Sequence, residues 1–198
     1  MLITNESELW QGLDDFKLHV ESMQEPYKGI FRYYAENTRF ISDPLQMSSI
    51  GYNPEKDAIS YNARFFKFPQ YQQSSTALFS HEFAHRFDVY NIQSWENSEF
   101  VNAIDNAMWK IVGNLPKYNR LYVAIRNPNP AFQDILGAIS DNKINVQFSH
   151  LRWDAETRAM EIFANLSYLK SSAIEFSMFD GLLDDIVCVF ERMFLEGV

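Results

Sequence analysis

The sequence predicts a single α+β domain that is mostly helical and carries a small antiparallel sheet. The chain has 198 residues, and a globular domain commonly has ~100–200 residues. Hydrophobic residues make up 46% of the chain and charged residues 22%, which is typical of a globular protein rather than a disordered one. Apolar residues recur at helical spacing along most of the chain but alternate weakly within residues 48–63. The sequence has no internal repeat and no linker-like segment, so residues 1–198 are predicted as one domain, with residues 1–45 as its helical N-terminal part.

The first elements are predicted to be two helices and a β-hairpin. Apolar positions at Leu9, Leu13, Phe16 and Val20 predict a helix over residues 6–23. A second helix is predicted over Tyr27–Glu36, followed by a loop over residues 37–44. Residues 48–52 and 58–63 flank the turn-rich segment Asn53-Pro54-Glu55-Lys56-Asp57, which predicts the hairpin.

Helices are predicted over most of the remaining chain. Ser74 and Ser75 are good N-cap residues for a helix from about Thr76 to Tyr90. Further helices are predicted from Ser94 toward Val112, over residues 131–139, over residues 154–172 and, as one or two segments, over residues 174–195. Residues 113–130 contain Pro116, Pro128 and Pro130 and are predicted to be irregular, with one short element at 121–125. Residues 141–149 are predicted as a loop.

Charge and cysteine content narrow the classes of function. The chain has 17 Lys and Arg against 26 Asp and Glu, a net charge of −9, which disfavours binding to nucleic acid and to an anionic membrane surface. Cys188 is the one cysteine, so an intrachain disulfide and a thiolate metal cluster are excluded. The first residues lack the basic and apolar regions of a signal peptide, and no apolar run approaches the length of a membrane span. A cytoplasmic location is therefore expected.

One segment carries a specific chemical pattern, His81-Glu82-Phe83-Ala84-His85. Residues four apart on a helix lie on the same face, so both imidazoles can reach one Zn²⁺ at ~2.0–2.1 Å. Glu82 follows the first ligand directly and can reach water at the metal without ligating the metal itself. The chain has only four histidines, so a chance occurrence of this pattern would be rare.

The helix that carries this pattern has two distinct faces. One face holds aromatic residues at the spacing of a buried surface, namely Phe79, Phe83, Phe87 and Tyr90. The other holds Leu78, His81, His85 and Asp88 and could line a cleft. The aromatic face is expected to fix the helix in the core.

A catalytic zinc site needs a third protein ligand and an open position. Asp88 follows His85 by three residues and could ligate, but three ligands from one helix would be cramped, so a role as an outer partner that holds a histidine tautomer or a neighbouring helix terminus is favoured. The alternative is a carboxylate that is solvated or lies in the last turn of the helix. Glu156 lies in the first turn of the predicted helix 154–172, where an acidic residue interacts favourably with the helix dipole. Glu161 has apolar neighbours, and a carboxylate in such surroundings needs a compensating partner. Glu161 is therefore the better candidate for the third ligand.

These motifs resemble those of gluzincin-type metallopeptidases. The segment His81–Asp88 (HEFAHRFD), followed by Glu161–Ala164 (EIFA), is similar to the pattern of the group that includes anthrax lethal factor and Pro-Pro endopeptidase. The chain also resembles the zincin-like domains of phage minor head proteins, in which a β-hairpin precedes the HExxH helix. In that comparison the later motifs correspond to Asp134–Lys143, Ser149-His150 and Trp153. The resemblance covers about residues 48–194.

The resemblance implies a zincin-like fold with the sheet beside the HExxH helix. It implies a Zn²⁺ cofactor and a set of site residues, with His81, His85 and Glu161 as metal ligands and Glu82 as general base, and it places His150 at the Gly-His position of the family. The chain departs from the family pattern at two positions, since Ser149 replaces a glycine and Asn165 replaces an acidic residue.

The motifs and the resemblance together predict a zinc metallopeptidase, of endopeptidase type, that acts on a peptide or protein substrate. Glu82 would move a proton from water to the leaving amine, and His150 or Tyr168 could stabilise the oxyanion. The strand at residues 58–63 could pair with an extended peptide by β-augmentation or could be only a structural edge. The alternative is a phage-related or host-interaction binding module that keeps a zincin fold with little or no protease activity, and a toxin protease domain is a third possibility.

Overall fold

The computed structural model describes residues 6–64, 75–124, 130–140 and 153–197. The chain divides into two compact units, Met1–Val89 and Tyr90–Val198. The first unit contains helices α1 (Glu6–Val20), α2 (Tyr27–Asn37) and α3 (Ser75–Phe87) and strands β1 (Arg39–Ser42), β2 (Ile50–Asn53) and β3 (Ala58–Tyr61). The second contains α4 (Ser98–Gly113), α5 (Leu115–Ala124), α6 (Pro130–Ile139), α7 (Ala155–Ser171) and α8 (Asp184–Glu196). None of the described helices is both long enough and apolar enough to cross a membrane.

The α+β prediction is confirmed, but the described strands form a mixed sheet rather than an antiparallel one. Strands β2 and β3 pair antiparallel, with Tyr52 opposite Ile59, as the hairpin prediction required. The order is β1-β3-β2, and β1 lies parallel to β3, with Phe40 also opposite Ile59. Residues 37–44 were predicted as a loop, which is wrong for β1, because the partner that makes this short segment a strand lies far along the chain.

The position of β3 overturns one functional expectation. All four residues of β3 are buried, and both of its edges are occupied by β1 and β2. An extended peptide therefore cannot add to the strand at residues 58–61, because its backbone hydrogen bonds are already made within the sheet. Within this sheet, the outer positions belong to β1 and β2.

Aromatic side chains fix α3 in the first unit. The Phe16 ring centroid of α1 lies 5.8 Å from that of Phe79 and 5.3 Å from that of Phe83, and Phe79 also contacts Phe40 of β1 at 6.1 Å. The predicted aromatic face is therefore the buried face as far as Phe87. Tyr90 does not belong to it and is 57% exposed.

The exposure of Tyr90 follows from a change in helix geometry. A π-helical turn over Asp88–Ile92 follows α3 directly. Its wider turn changes the angular position of each residue, so the 3.6-residue periodicity that placed Tyr90 on the buried face no longer applies there.

Helices α4 and α8 pack against α7 through an aromatic core. The Phe163 ring centroid lies 5.0 Å from that of Phe190 and 6.1 Å from that of Phe194, both on α8, and 6.5 Å from that of Phe100 on α4. Helix α6 packs along α7. The predicted helices 131–139 and 154–172 are confirmed as α6 and α7.

Helix α5 lies where irregular structure was predicted. Pro116 is its second residue, and proline is tolerated in the first turn because the backbone N–H there needs no intrahelical acceptor. The Asn114 side chain accepts a hydrogen bond from the Lys117 backbone N–H at 3.3 Å, which caps the helix. Pro116 therefore marks the start of a helix rather than an irregular segment. The loop predicted over residues 141–149 lies outside the described residues.

Candidate metal centre

The two histidines of the HExxH pattern converge through the same ring atom. His81 and His85 lie one turn apart on α3, and their Nε2 atoms are 3.0 Å apart. Two nitrogen ligands of a tetrahedral zinc ion, each ~2.0–2.1 Å from the metal, lie ~3.3 Å apart. The separation of the imidazoles is therefore close to that of two ligands on one ion.

Glu161 of α7 completes a group of three ligand atoms. One atom from each of His81, His85 and Glu161 lies within 4.8 Å of the other two. Two imidazole nitrogens and one carboxylate oxygen are a donor set that zinc uses in hydrolytic enzymes. The three residues could thus hold a metal ion, and their donor atoms are of the kinds that zinc takes. They are the same three residues that the sequence predicted as ligands.

The other acidic candidates differ from Glu161. Glu156 is exposed in the first turn of α7, in agreement with its predicted role at the helix end. Asp88 is fully buried at the first residue of the π-helical turn. Its burial excludes the alternative of a solvated carboxylate, while its place directly after α3 agrees with that of a carboxylate at the helix end. Asp88 is not part of the three-residue group found among the described residues.

Local hydrogen bonds fix both the start of α7 and the turn that carries Glu161. Asp154 caps the helix by accepting from the Thr157 backbone N–H at 2.8 Å, and this hydrogen bond lowers the pKa of Asp154 below its usual value. The side-chain amide of Asn165 donates to the backbone carbonyl of Glu161 at 2.9 Å. Asn165 therefore bonds to the same turn of α7 that presents the candidate ligand Glu161.

Glu82 is held by the edge strand β2. Its side chain is largely buried, since the residue is 8% exposed, and Oε2 accepts a hydrogen bond from the Tyr52 backbone N–H at 2.6 Å. A carboxylate that accepts from a backbone amide forms one of the stronger classes of protein hydrogen bond. Glu82 therefore directly follows the candidate ligand His81 in sequence, is not part of the candidate ligand group, and has one carboxylate oxygen held by β2.

A second polar contact joins α3 to the same hairpin. The Arg86 guanidinium donates from Nε and Nη2 to the two oxygens of Asp57, at 2.7 and 2.8 Å. The Tyr52 hydroxyl donates to Asp57 Oδ1 at 3.1 Å. The Arg86 guanidinium holds the pKa of Asp57 below its usual value, and the Asp57 carboxylate raises the pKa of Arg86.

Sequence reasoning missed Tyr52, Asp57 and Arg86. The only local signal was an arginine that directly follows the second histidine of the motif, and its partner lies 29 residues away. Of the predicted oxyanion donors, His150 lies outside the described residues. Tyr168 is half-buried on α7, seven residues after Glu161, which places it on the same face of the helix about two turns further on.

The chain gave no match when compared with protein-family models, with curated proteins and with solved structures. The resemblance to gluzincins therefore rests on the motif residues of the sequence alone.

Proposed function

We propose that this protein is a zinc-dependent metallopeptidase of the gluzincin type that cleaves peptide bonds within a peptide or protein substrate. In this proposal His81, His85 and Glu161 hold the zinc ion and Glu82 is the general base. The observation that carries the proposal is the convergence of the three ligand atoms within 4.8 Å. Peptidase chemistry is preferred to simple metal storage because a buried carboxylate that is not a ligand directly follows His81 on the same helix.

A zinc ion in a site with three protein ligands supplies Lewis acidity, which makes water a nucleophile near neutral pH and polarises a carbonyl. The protein's own contribution is proton transfer by Glu82. Tyr52 engages Oε2 of this carboxylate, and among the described residues Oε1 makes no hydrogen bond. Oε1 is thus the oxygen that takes the proton from water and returns it to the leaving amine, a role worth ~10²–10⁴-fold in rate.

The alternative function is a binding module, such as a phage-related or host-interaction protein that keeps the fold without hydrolysis. In such a module Glu82 would only hold β2 through the Tyr52 backbone N–H, whereas a peptidase also needs its carboxylate to transfer a proton. The general-base position is therefore the feature on which the two functions make different predictions.

The test combines metal analysis with peptide cleavage. Protein purified without chelator is expected to contain zinc at one ion per chain and to cleave members of a peptide library detected by mass spectrometry. The Glu82→Gln variant keeps the size of the side chain but cannot accept and return a proton, so it should retain zinc and lose activity by ~10²–10⁴-fold.

The matched control is Glu156→Gln, which makes the same change at an exposed position in the first turn of α7 and should cleave at the wild-type rate. Full activity of the Glu82→Gln protein would contradict the mechanism. Bound zinc with no peptide cleaved by the wild-type protein would favour the binding module.

A further inference from the structure

We propose that Arg86 is a positioning residue that fixes the carboxylate of Glu82 by locking helix α3 onto the β2–β3 hairpin. The catalytic consequence rests on the proposed function, whereas the positioning itself is a property of the fold. The inference rests on the observation that Glu82 and Arg86, which are one helical turn apart on α3, both contact the same hairpin.

The Arg86 side chain is held in one position by contacts with two other elements of the first unit. It forms the two-pronged pair with Asp57, and Nη1 donates to the carbonyl of Asn37 at 3.2 Å and to Thr38 Oγ1 at 3.0 Å. Its guanidinium carbon lies 5.1 Å from the ring centroid of Tyr34, within range of a cation–π contact. The side chain is 13% exposed. Arg86 therefore ties α3 both to the end of α2 and to the hairpin.

The hairpin in turn connects Arg86 to the general base. The Tyr52 hydroxyl donates to Asp57 Oδ1, while the backbone N–H of Tyr52 donates to Glu82 Oε2. Tyr52 is thus joined to α3 at two points, directly through Glu82 and indirectly through Asp57 and Arg86. A shift of the hairpin along α3 would break both connections together.

Asp57 lies in a turn whose backbone conformation benefits from the stabilising contact with Arg86. It lies in the turn between β2 and β3 with a φ of 42°, in the left-handed region that is unfavourable for residues other than glycine. Aspartate is among the residues that tolerate this region best. The pair with Arg86 holds this turn in place, and with it the strand whose amide orients Glu82.

Arginine is required for this role because of its shape. Its planar guanidinium presents donors in a rigid fork that matches both oxygens of a carboxylate, whereas lysine presents a single compact charge. Arg86→Lys should keep the positive charge but lose the paired hydrogen bonds to the two oxygens of Asp57. A displacement of a catalytic group by about 1 Å can cost ~10²-fold in rate, so loss of the fork is expected to lower kcat by up to ~10²-fold with little change in KM.

The primary test measures positioning without any substrate. In zinc-free, isotope-labelled protein, the Tyr52 amide proton is expected to be shifted downfield and slow to exchange, because its acceptor is a carboxylate at 2.6 Å. Arg86→Lys and the isosteric Asp57→Asn should both move this resonance upfield and accelerate exchange by at least ~10-fold. The control is Arg32→Lys, which disrupts another arginine–carboxylate fork, formed with Glu21, and should leave Tyr52 unchanged.

The outcomes separate this inference from the proposed function. A Tyr52 amide that is unchanged in folded Arg86→Lys or Asp57→Asn protein would overturn the inference, whether or not the wild type is a peptidase. A local change at Tyr52 supports it even if no peptide is ever cleaved, which would count against the proposed function alone. In an active protein, a fall in kcat in both variants, with wild-type kcat in Arg32→Lys, is the expected catalytic counterpart.

Discussion

Zinc should stabilise the folded protein by an amount that depends on the ligand group. His81 and His85 lie on α3 and Glu161 on α7, so only the folded chain brings their ligand atoms within 4.8 Å. A ligand that binds the native state alone, at a free concentration of ~100 times its Kd, adds ~2.7 kcal/mol to the free energy of unfolding. In a chain of this length 1 kcal/mol shifts the Tm by ~2–4 °C, so zinc is expected to raise the Tm by roughly 5–11 °C.

Thermal unfolding in zinc and in chelator measures this difference for each variant against its own metal-free form. His85→Ala removes a ligand and should abolish the zinc-dependent shift. Glu161→Gln should reduce it, because a neutral amide is a poorer zinc ligand than a carboxylate. His19→Ala is the matched control, since His19 is a half-buried histidine on α1 outside the ligand group, and it should leave the shift intact. An undiminished zinc shift in the His85→Ala protein would refute the assignment of the site.

Two further predictions concern the framework around the site. Phe83 is 0% exposed, so Phe83→Ala should lower the free energy of unfolding by ~3–5 kcal/mol and lower the Tm measured in chelator. The control is Leu18→Ala, at a residue that is 74% exposed, which should change the free energy of unfolding by about 0.5 kcal/mol or less. Equal effects of the two substitutions would contradict the packing of α3. The pKa of Asp57 is held low in the folded state by Arg86, so the pair stabilises the fold above the unfolded pKa of ~3.9, and this contribution is lost as pH falls through the lower folded pKa. Wild type and Asp57→Asn should therefore differ in Tm at pH 7 and converge at acid pH, and a constant difference would count against the ion pair.

The helices and strands that are specified by neighbouring residues in the chain could be predicted from the sequence. Helices α1, α2, α6 and α7 have regular apolar spacing, and the antiparallel β2–β3 pair is joined by a short turn-forming segment. Strand β1 was missed because it has four residues with no clear alternation and becomes a strand through a parallel partner that lies beyond β2 in sequence. Residue propensities and the spacing of apolar residues contain no information about a parallel pairing of this kind.

The candidate site was predictable to the extent that its chemistry shows in single residues. The histidine spacing specifies one helix face, and Glu161 was identified because a carboxylate with apolar neighbours needs a partner. The residues that hold Glu82 in direction gave no such signal. Tyr52 acts through its backbone N–H, which any residue except proline would supply, and Asp57 resembles an ordinary turn residue until Arg86 is placed beside it.

The end of α3 explains why core packing and ligand geometry cannot vary independently. In a regular α-helix each residue turns by ~100°, so residues four apart diverge by only ~40°; this holds for His81 with His85 and equally for Phe79 with Phe83. The π-helical turn begins at Asp88, after the second histidine and after Phe87, the last residue of α3 and of its buried aromatic face. Had the wider turn begun one turn earlier, it would have moved the second imidazole away from the first and removed an aromatic ring from the core. The same regular stretch of helix therefore satisfies both requirements, and a change on its buried face, such as Phe83→Ala, is expected to displace the histidines on its other face as well.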